Sequence, residues 1–327
     1  DFDQNKVDET QRLNSRSYYD NQANSWGKEV VATYKDGYNG HGEVFDYERG
    51  GPADLTAPYW LTDDSISSSS WCYTQGIGYY STQQMLHSLI DRVSKNGNML
   101  LNIAPMADGT IPQGQKDVLL GIGDYLKRFG ESMYATRAWT QYGEGPTRMG
   151  GGSFTAPLVG TAQDIRFTRS KGNTVLYATV LGWPGSSLKI KTLSSDRISL
   201  SSLSSVKLLD STAGTYINLA APTQDSSGLT VALPSSAPYS AGAYVLKLSF
   251  SGPIPPLKPA VGAVVYQDVN YSANYAVLDP GTYTAEQLQL AGVDAQSISF
   301  LQLAAGNQII DHSGANFTGT PRHLNPA

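Results

Sequence analysis

The 327-residue sequence has only one cysteine, Cys72, so it can form neither an intrachain disulfide nor a thiolate metal cluster. Charged residues make up 16% of the chain, against about a quarter in ordinary soluble domains. The net charge of −5 leaves no basic surplus for binding nucleic acid or anionic lipid. No run of about 18 apolar residues occurs, so no transmembrane helix is predicted. We therefore expect a globular protein whose partners include neither nucleic acid nor a membrane.

Several signatures of common enzyme chemistry are missing as well. The sequence has no Gly-rich phosphate loop and no GxSxG elbow, which argues against phosphoryl transfer and serine-hydrolase chemistry. His41 lies alone in a Gly-rich loop, NGHGE, and a single histidine without a partner does not indicate a metal site. His87 falls beside the apolar face of a predicted helix and is expected to be structural. The sequence thus predicts no metal and no cofactor.

A regular order of helix, strand and helix occupies residues 82–129. Apolar residues recur at helical spacing in Thr82–Ser94, and Asn96-Gly97 is typical of a helix end. Residues 99–103 are too few for a helix and too apolar for an exposed edge, which predicts a strand buried on both faces. Pro112 then opens a second helix with its own apolar face. This order is the repeating unit of a parallel barrel or a doubly wound sheet.

The pattern changes after residue 132. Short alternating runs are separated by clusters of Gly, Ser, Asn and Pro: 164–168, 174–180, 188–191, 206–209, 229–233 and 243–248. Such runs without helices between them predict an antiparallel β-sandwich over residues 133–250. The stretch SGPIPPLKPA, residues 251–260, predicts a proline-rich linker.

The stretches SSSWCYTQG, SLIDRVSKNGNMLLNIAPMADGTIP and IGDYLKRFGESMYATRAW follow one another between residues 68 and 139. Together they closely resemble the retaining alpha-L-fucosidases, the family that includes the animal lysosomal enzymes. The resemblance is high from about Trp26 to Trp139 and weaker to about Phe250. It implies a catalytic (β/α)8 barrel followed by a β-sandwich. It also implies hydrolysis of terminal alpha-L-fucosyl linkages in oligosaccharides or glycans, without a cofactor.

The barrel that the resemblance implies is incomplete in this sequence. Four barrel-type strand candidates precede residue 131: 29–34, 42–47, 69–73 and 99–103. An eight-stranded barrel cannot close on four strands, because its open edges would expose unpaired backbone groups. We therefore expect residues 1–132 to form the C-terminal half of a TIM-like (β/α)8 barrel. Since the chain begins at Asp1 in a polar segment, we expect the earlier strands on a separate polypeptide, an N-terminal fragment of the same precursor.

Residues 261–327 resemble the Greek-key motif of the βγ-crystallins and end within a second motif. The resemblance rests on an aromatic strand at 264–266, a following Asn-Tyr turn and the DPG sequence before Tyr283. Asp294 and Ser297 supply only part of the calcium motif of such domains, and calcium needs six to eight oxygen ligands. A structural or sugar-contacting domain is therefore favoured over a calcium site.

Retaining hydrolysis of a glycoside needs two carboxyl groups about 5–5.5 Å apart, one a nucleophile and the other an acid/base. In a parallel barrel both lie at or after the carboxyl ends of strands. Glu48, in VFDYERGGPADL, lies in the region where the resemblance implies the acid/base, and we predict that role for it. Other acidic residues nearby stay open: Glu43 as the runner-up, then Asp46 and Asp54. The non-catalytic alternative is a surface ion pair of Glu48 with Arg49 or Arg137.

The nucleophile is harder to assign. The resemblance implies an Asp at the end of the strand that precedes residues 29–34, and the sequence holds no such strand. Asp1 is a candidate, but a free amino terminus would add a positive charge and fraying to a buried nucleophile. We therefore expect the nucleophile on the missing N-terminal segment, with Asp3 and Asp8 as solvated residues.

Aromatic and basic residues complete the predicted sugar site, because fucose has an apolar face that favours contact with rings. Trp71 matches the family position that holds an aromatic ring against the sugar, and its alternative is a core tryptophan. Lys35 lies where many relatives have an arginine that donates to the sugar or the nucleophile. A lysine there keeps the positive charge but lacks the planar guanidinium group of arginine, which can donate two parallel hydrogen bonds. The alternative role of Lys35 is that of a solvated loop residue. For Trp60 we favour packing over an outer subsite.

These observations favour a retaining, exo-acting alpha-L-fucosidase. The sequons NYS at 270–272 and NFT at 316–318 agree with a secreted glycoprotein. The alternative from another class is a carbohydrate-binding or structural protein with an inactive barrel, which would release no 4-nitrophenol from the aryl fucoside. A retaining glycosidase acting on another sugar is the third hypothesis.

Overall fold

The computed structural model of this chain describes residues 9–35, 44–56, 59–267, 275–291, 293–314 and 317–324. The first part of the chain contains three helices and four strands in this order: α1 (Glu9–Ser25), β1 (Thr33–Tyr34), β2 (Val44–Glu48), β3 (Trp60–Ser65), α2 (Thr82–Ser94), β4 (Gly97–Asn102) and α3 (Gln113–Phe129). The helix α2, the strand β4 and the helix α3 are those that the sequence predicts. None of the described helices is long and apolar enough to cross a membrane.

The first four strands form one parallel sheet in the order β1-β2-β3-β4. The helices α2 and α3 pack against one face of this sheet. Their contact is a small apolar cluster in which Ile66, Met85, Val118 and Ile122 are buried. Among the described residues, no strand pairs with the outer edge of β1 or of β4. The chain therefore provides a four-stranded piece of parallel sheet that is covered by helices on one side.

The opposite face of the sheet is open in the part of the chain that the structure describes. Leu100 of β4 lies on this face and is 61% exposed. The prediction that this strand is buried on both faces is therefore wrong for this chain, because helices cover only the side that carries Met99 and Leu101. An exposed leucine in the middle of a sheet face marks a surface that another element can cover.

One of the predicted strands is misplaced. Residues 69–73 form bends, and the third strand is β3 instead. In β3 the side chains alternate, so that Trp60, Thr62 and Asp64 are buried on the helix side. Because two of its last three residues are aspartates, β3 lacks the apolar run that marks a buried strand. The first strand is also shorter than predicted, since β1 covers only the last two residues of 29–34.

The junction of α2 and β4 depends on close packing around Trp60. This side chain is 1% exposed, and its indole N–H donates to the carbonyl oxygen of Lys95 at 3.0 Å. A Cβ at Gly97 would lie 2.3 Å from the Trp60 ring, so only glycine fits there. Asn96 ends the helix with a φ of 74°, a conformation that asparagine tolerates better than most residues. The packing role that we favour for Trp60 is thus confirmed.

The second part of the chain is an antiparallel β-sandwich. It contains nine strands in chain order: β5 (Thr136–Glu144), β6 (Ile165–Ser170), β7 (Val175–Val180), β8 (Ser187–Ile190), β9 (Leu203–Leu209), β10 (Tyr216–Asn218), β11 (Thr223–Asp225), β12 (Gly228–Ala232) and β13 (Tyr244–Phe250). One sheet has the order β10-β9-β13-β7-β6-β5 and the other the order β11-β12-β8. All six runs predicted from the alternating pattern fall on strands of this sandwich.

The sandwich core lies between its two sheets and contains about twenty buried apolar side chains. Phe167, Ile190, Leu208, Val231 and Leu248 are fully buried within it. Burying one such side chain contributes roughly 1.5–3 kcal/mol, so among the described residues this core makes the largest apolar contribution to stability.

The last part of the chain is small and mostly β. Its elements are β14 (Ala263–Tyr266), β15 (Tyr275–Leu278), α4 (Ala285–Leu290), β16 (Phe300–Leu303), β17 (Ile309–Gly314) and β18 (Thr318–Leu324). The first two of these strands and β16 form a sheet in the order β15-β14-β16, and β17 pairs with β18 as a hairpin. The predicted strand at 264–266 is present, while the Asn-Tyr turn after it lies outside the described residues. The crystallin-like topology stays a prediction.

A buried ion cluster joins α2 to the sandwich. The carboxylate of Asp91 in α2 contacts Arg166 Nε of β6 at 2.6 Å and Lys95 Nζ at 2.8 Å, and no side chain of the three is more than 4% exposed. Burial lowers the pKa of Lys95, and the neighbouring Asp91 carboxylate offsets part of that effect. The ammonium also donates to the carbonyl oxygen of Met149 at 2.8 Å. One carboxylate therefore compensates two buried cations.

Replacing Asp91 should destabilise the fold strongly. Asp91→Asn leaves Lys95 and Arg166 without a compensating charge, so we expect a loss of about 3–5 kcal/mol in the free energy of unfolding. Asp54→Asn is the matched control, because Asp54 is 66% exposed and pairs with the exposed Arg148 at 3.2 Å. The control should change stability by less than about 1 kcal/mol. Urea titrations of both variants test this, and an equal, small effect of the two substitutions would contradict it.

His87 is buried where α2 meets the loops of the sandwich. Its Nδ1 accepts the backbone N–H of Gly160 at 2.9 Å, and its Nε2 lies 2.7 Å from the carbonyl oxygen of Gly242. This pair of contacts fits a neutral ring with its proton on Nε2. Burial lowers the pKa of His87, and the nearby Arg166 adds to that effect. The predicted structural role of His87 is confirmed.

This histidine should make the protein less stable in mild acid. As the pH falls below about 6.5, the unfolded chain protonates this residue while the folded chain does not, so the free energy of unfolding decreases. The slope contributed by one such group is at most about 1.4 kcal/mol per pH unit. His87→Gln should flatten the dependence between pH 7 and pH 5, and His323→Gln, at an exposed position of β18, should not. Parallel slopes for the wild type and His87→Gln would contradict this account.

Candidate active site

The carboxyl ends of the parallel strands bring three charged side chains together. Lys35 follows β1, Glu48 ends β2, and Asp63 lies near the end of β3 in direct register with Glu48. Lys35 Nζ contacts Glu48 Oε2 and Asp63 Oδ2, each at 3.0 Å. Burial alone would lower the pKa of Lys35, but its bonds to Glu48 and Asp63 outweigh this, so the pKa is raised. The ammonium is thus held between two carboxylates.

Trp71 is the second contact of Glu48. Its indole N–H donates to Glu48 Oε1 at 3.2 Å, so the two carboxylate oxygens have different partners. The backbone of Trp71 is held from the other side, where Asn102 Nδ2 at the end of β4 donates to the Trp71 carbonyl oxygen at 2.9 Å. The structure therefore brings together all three residues that the sequence predicts for the site: Glu48, Lys35 and Trp71.

The other acidic candidates differ from Glu48 in exposure and in partners. Asp46 is 7% exposed, and its Oδ1 accepts the backbone N–H of Asp63 at 2.9 Å. Burial raises the pKa of Asp46, the donated N–H opposes this, and the charge of Asp63 adds to it. Asp54 forms an exposed pair with Arg148. Glu43, Asp1, Asp3, Asp8 and His41 lie outside the described residues.

The alternative surface ion pair of Glu48 with an arginine is not present. Arg49 donates instead to the carbonyl oxygens of Ser67 and Ser70, each at 2.8 Å. Arg137 NH1 donates to the carbonyl oxygen of Thr136 at 2.9 Å. The partner of Glu48 is Lys35, which the sequence analysis assigned to the same site.

Sequence reasoning missed Asp63 and Asn102. Both lie on the open face at the ends of neighbouring strands, since the register pairs Asp63 with Leu100 and Ser65 with Asn102. The sequence WLTDDS contains two aspartates that follow apolar residues, and this could have indicated Asp63. The signal is usable only once these residues are recognised as the strand β3. Among the described residues, no group of three His, Cys, Asp or Glu side chains could hold a metal ion.

A carboxylate and a lysine at the ends of parallel strands, with an indole N–H beside them, form an arrangement compatible with a site in which carboxyl groups act on a sugar held by rings and polar donors. Comparison with known families agrees. Residues 1–131 match the family model described as Alpha-L-fucosidase, and residues 160–249 match the one described as Alpha-L-fucosidase C-terminal domain. The resemblance to the alpha-L-fucosidase family is therefore confirmed over both regions.

Individual relatives point the same way. The chain is 29% identical to the plasma alpha-L-fucosidase of Homo sapiens over 142 residues, which is 42% of this chain and 27% of that protein. It is 31% identical to the tissue alpha-L-fucosidase of Homo sapiens over 163 residues, or 48% of this chain and 31% of that protein. The solved structure of the Thermotoga maritima alpha-fucosidase is 25% identical, with a TM-score of 0.53 over 71% of this chain and 47% of that one. A second structure of that enzyme, also 25% identical, is a complex with fucose, with a TM-score of 0.51 over 71% and 46%.

The matched regions cover less than half of these relatives. Only 27% and 31% of the two human proteins align with this chain, and 47% of the Thermotoga maritima structure does.

The raised pKa of Lys35 gives a test of the site geometry that needs no enzyme assay. Asp63→Asn removes one of the two carboxylates, so the pKa of Lys35 should fall and a larger fraction of the amine should be neutral. Acetylation of Lys35 by dilute acetic anhydride should then speed up at least about threefold, since one pKa unit changes the neutral fraction about tenfold. Mass spectrometry measures the rate against Lys116, which is exposed in α3 and serves as the internal reference. An unchanged ratio of the two rates would show that Asp63 does not hold Lys35.

Proposed function

We propose that this chain provides the C-terminal half of the catalytic barrel, and the β-sandwich, of a retaining, exo-acting alpha-L-fucosidase. The observation that carries the proposal is Glu48 at the end of a parallel strand, with Lys35 on one carboxylate oxygen and the Trp71 indole on the other. The matches of residues 1–131 and 160–249 to alpha-L-fucosidase models support the substrate class. The substrate is then a terminal alpha-L-fucoside of an oligosaccharide or glycan.

The reaction follows the double-displacement scheme of retaining glycosidases. An aspartate carboxylate attacks the anomeric carbon of fucose, and Glu48 gives a proton to the leaving oxygen. Glu48 then takes a proton from water, which attacks the same carbon and releases fucose from the aspartate. Lys35 Nζ lies 3.0 Å from both the Glu48 and the Asp63 carboxylates. Because Asp63 stays charged, Lys35 keeps a carboxylate partner while Glu48 carries the proton. This arrangement lets Glu48 change between its two roles.

Trp71 and Lys35 are proposed to contact the sugar as well. The indole ring offers an apolar surface to fucose while its N–H holds Glu48. Lys35 is 39% exposed, so its ammonium is accessible from the open face of the sheet. A hydroxyl of the sugar can take the place of one of its two carboxylate partners. Both residues therefore hold the substrate near the acid/base.

The nucleophile is proposed to lie on strands that complete the barrel from a separate N-terminal fragment of the same precursor. Three observations support this part of the proposal. The described parallel sheet has no strand on the outer edge of β1 or of β4, and Leu100 is exposed on the face that carries Glu48. The alpha-L-fucosidase relatives are also two to three times longer than their aligned regions. Secretion as a glycoprotein is proposed on the likeness to a plasma alpha-L-fucosidase.

Replacing Glu48 tests the proposed function. With 4-nitrophenyl alpha-L-fucoside and with an unactivated fucosyl disaccharide, Glu48→Ala should lower kcat by about 10²–10⁴-fold, with the greater loss on the disaccharide. Sodium azide should restore turnover of the aryl substrate, because a small anion replaces the base-activated water. Asp54→Asn, at the exposed alternative candidate, should keep the wild-type rate. These rates are measured on the chain expressed together with the N-terminal part of its precursor. A wild-type rate in Glu48→Ala would exclude Glu48, and a wild type of this complete form that cleaves neither substrate would favour the binding or structural alternative.

The same assay tests whether this chain needs the N-terminal fragment for activity. We expect the present chain alone to be inactive and the chain expressed together with the preceding part of its precursor to be active. Full activity of residues 1–327 alone would contradict the separate N-terminal fragment.

A further inference from the structure

We propose that Arg49 is a positioning residue for the reaction, because it fixes the segment that places the Trp71 indole on Glu48. The proposal rests on the proposed function of Glu48 as acid/base. It concerns a residue that contacts neither Glu48 nor the sugar directly and acts through Trp71.

The backbone at Arg49 turns sharply at the end of β2. Its φ is 49°, in the left-handed region that costs a residue with a side chain about 1–2 kcal/mol. The turn is held on both sides, since Arg49 N–H donates to the Asp63 carbonyl oxygen at 2.9 Å and Phe154 N–H donates to the Glu48 carbonyl oxygen at 2.7 Å. The next residue, Gly50, fits only as glycine, because a Cβ there would lie 2.0 Å from the Gly152 carbonyl oxygen. An unfavourable conformation held this firmly directs the Arg49 side chain to one place.

The guanidinium of Arg49 binds the backbone of the segment that leads to Trp71. One terminal nitrogen donates to the Ser67 carbonyl oxygen and the other to the Ser70 carbonyl oxygen, each at 2.8 Å. Two donors in a fixed plane match two carbonyl groups, which a lysine ammonium cannot do with the same geometry. The guanidinium carbon also lies 4.3 Å from the centre of the Trp71 ring, a cation–π contact. Arg49 therefore holds both the backbone and the ring of this segment.

The segment from Ser67 to Trp71 forms bends, and its other support lies at its first two residues. A β-bridge joins Ser67 to Tyr79, and the Ser68 N–H and hydroxyl donate to the Gly78 carbonyl oxygen at 3.0 and 3.1 Å. At Trp71 the remaining anchor is the hydrogen bond from Asn102 to the carbonyl oxygen. Without Arg49 the ring has one backbone anchor and can turn about it, so its N–H no longer has a fixed direction toward Glu48. A shift of about 1 Å in a catalytic arrangement can reduce the rate about a hundredfold.

The kinetic test compares Arg49→Lys with Trp71→Phe and with the double variant, in the catalytically active protein. Arg49→Lys keeps the charge and loses the planar fork. We expect kcat to fall about 10- to 100-fold on the unactivated disaccharide, and less on a dinitrophenyl fucoside whose leaving group needs no proton. Trp71→Phe removes the same N–H, so the double variant should have the kcat of Trp71→Phe alone. Arg148→Lys, at an exposed arginine, should match the wild type.

A structural measurement keeps this proposal independent of fucosidase activity. The chain has five tryptophans, so incorporation of 5-fluorotryptophan gives few fluorine NMR signals, and Trp71→Phe identifies the signal of Trp71. In Arg49→Lys this signal should move or broaden, and in Arg148→Lys it should not. Where Arg49→Lys does not fold, Arg49→Gln takes its place, because its planar amide can still donate to one carbonyl group.

The outcomes separate this proposal from the proposed function. Additive losses of kcat in the double variant, or a wild-type kcat in Arg49→Lys, would overturn the positioning role. An unchanged Trp71 signal in a folded Arg49 variant would overturn it as well. If the wild type hydrolyses no fucoside, the proposed function fails, while the fluorine signal still decides whether Arg49 places Trp71.

Discussion

The rest of the structure depends on the buried ion pairs that the Asp91 carboxylate forms. This carboxylate contacts Arg166 of the sandwich and Lys95 at the end of α2, and so joins the two parts of the chain through one group. The next residue, Arg92, contacts Asp64 of β3 at 2.9 Å, again with both side chains buried. Burial raises the pKa of Asp64, and the charge of Arg92 opposes this. The helix α2 is thus fixed to the sandwich on one side and to the parallel sheet on the other.

The same strand carries the candidate site on its opposite face. Asp63 and Asp64 are consecutive in β3, so one contacts Lys35 in the site while the other contacts Arg92 beneath it. A site that rests on a strand fixed in this way holds its geometry better than one built on free loops. Trp71, which contacts Glu48, lies on an irregular segment, and that is the segment that Arg49 holds.

The sequence predicts the parts of this fold that have strong local signals. The helices α2 and α3 and the strand β4 have apolar patterns of the right period, with Asn96 marking the end of α2 and Pro112 the start of α3. In the sandwich strands, apolar and polar residues alternate. The joint position of Lys35 and Glu48 follows from the rule that parallel strands end at one edge of a sheet, whereas Trp71 reaches the same edge from bends and not from the predicted strand at 69–73. The sequence does not reveal β3, because its aspartates break the apolar pattern.

Two further features could not be read from the sequence for a different reason. The role of Asp63 depends on the register between β2 and β3, and the role of Arg49 depends on a positive φ in a residue that is not glycine. Both are set by tertiary contacts, and local sequence preference does not encode either. The exposure of Leu100 is likewise a property of the assembled sheet, because it depends on which elements cover that face and not on the local sequence.

The measurement that tests the central claim most directly is a crystal structure of the active protein trapped with a 2-deoxy-2-fluoro fucosyl fluoride. The account predicts a fucosyl group bound through its anomeric carbon to an aspartate of the proposed N-terminal fragment. It also predicts that the Glu48 carboxyl group lies about 5–5.5 Å from that aspartate. Lys35 and Trp71 should contact both Glu48 and the sugar. A fucosyl group bound far from the ends of β1, β2 and β3, or a Glu48 carboxyl group turned away from it into solvent, would contradict the account.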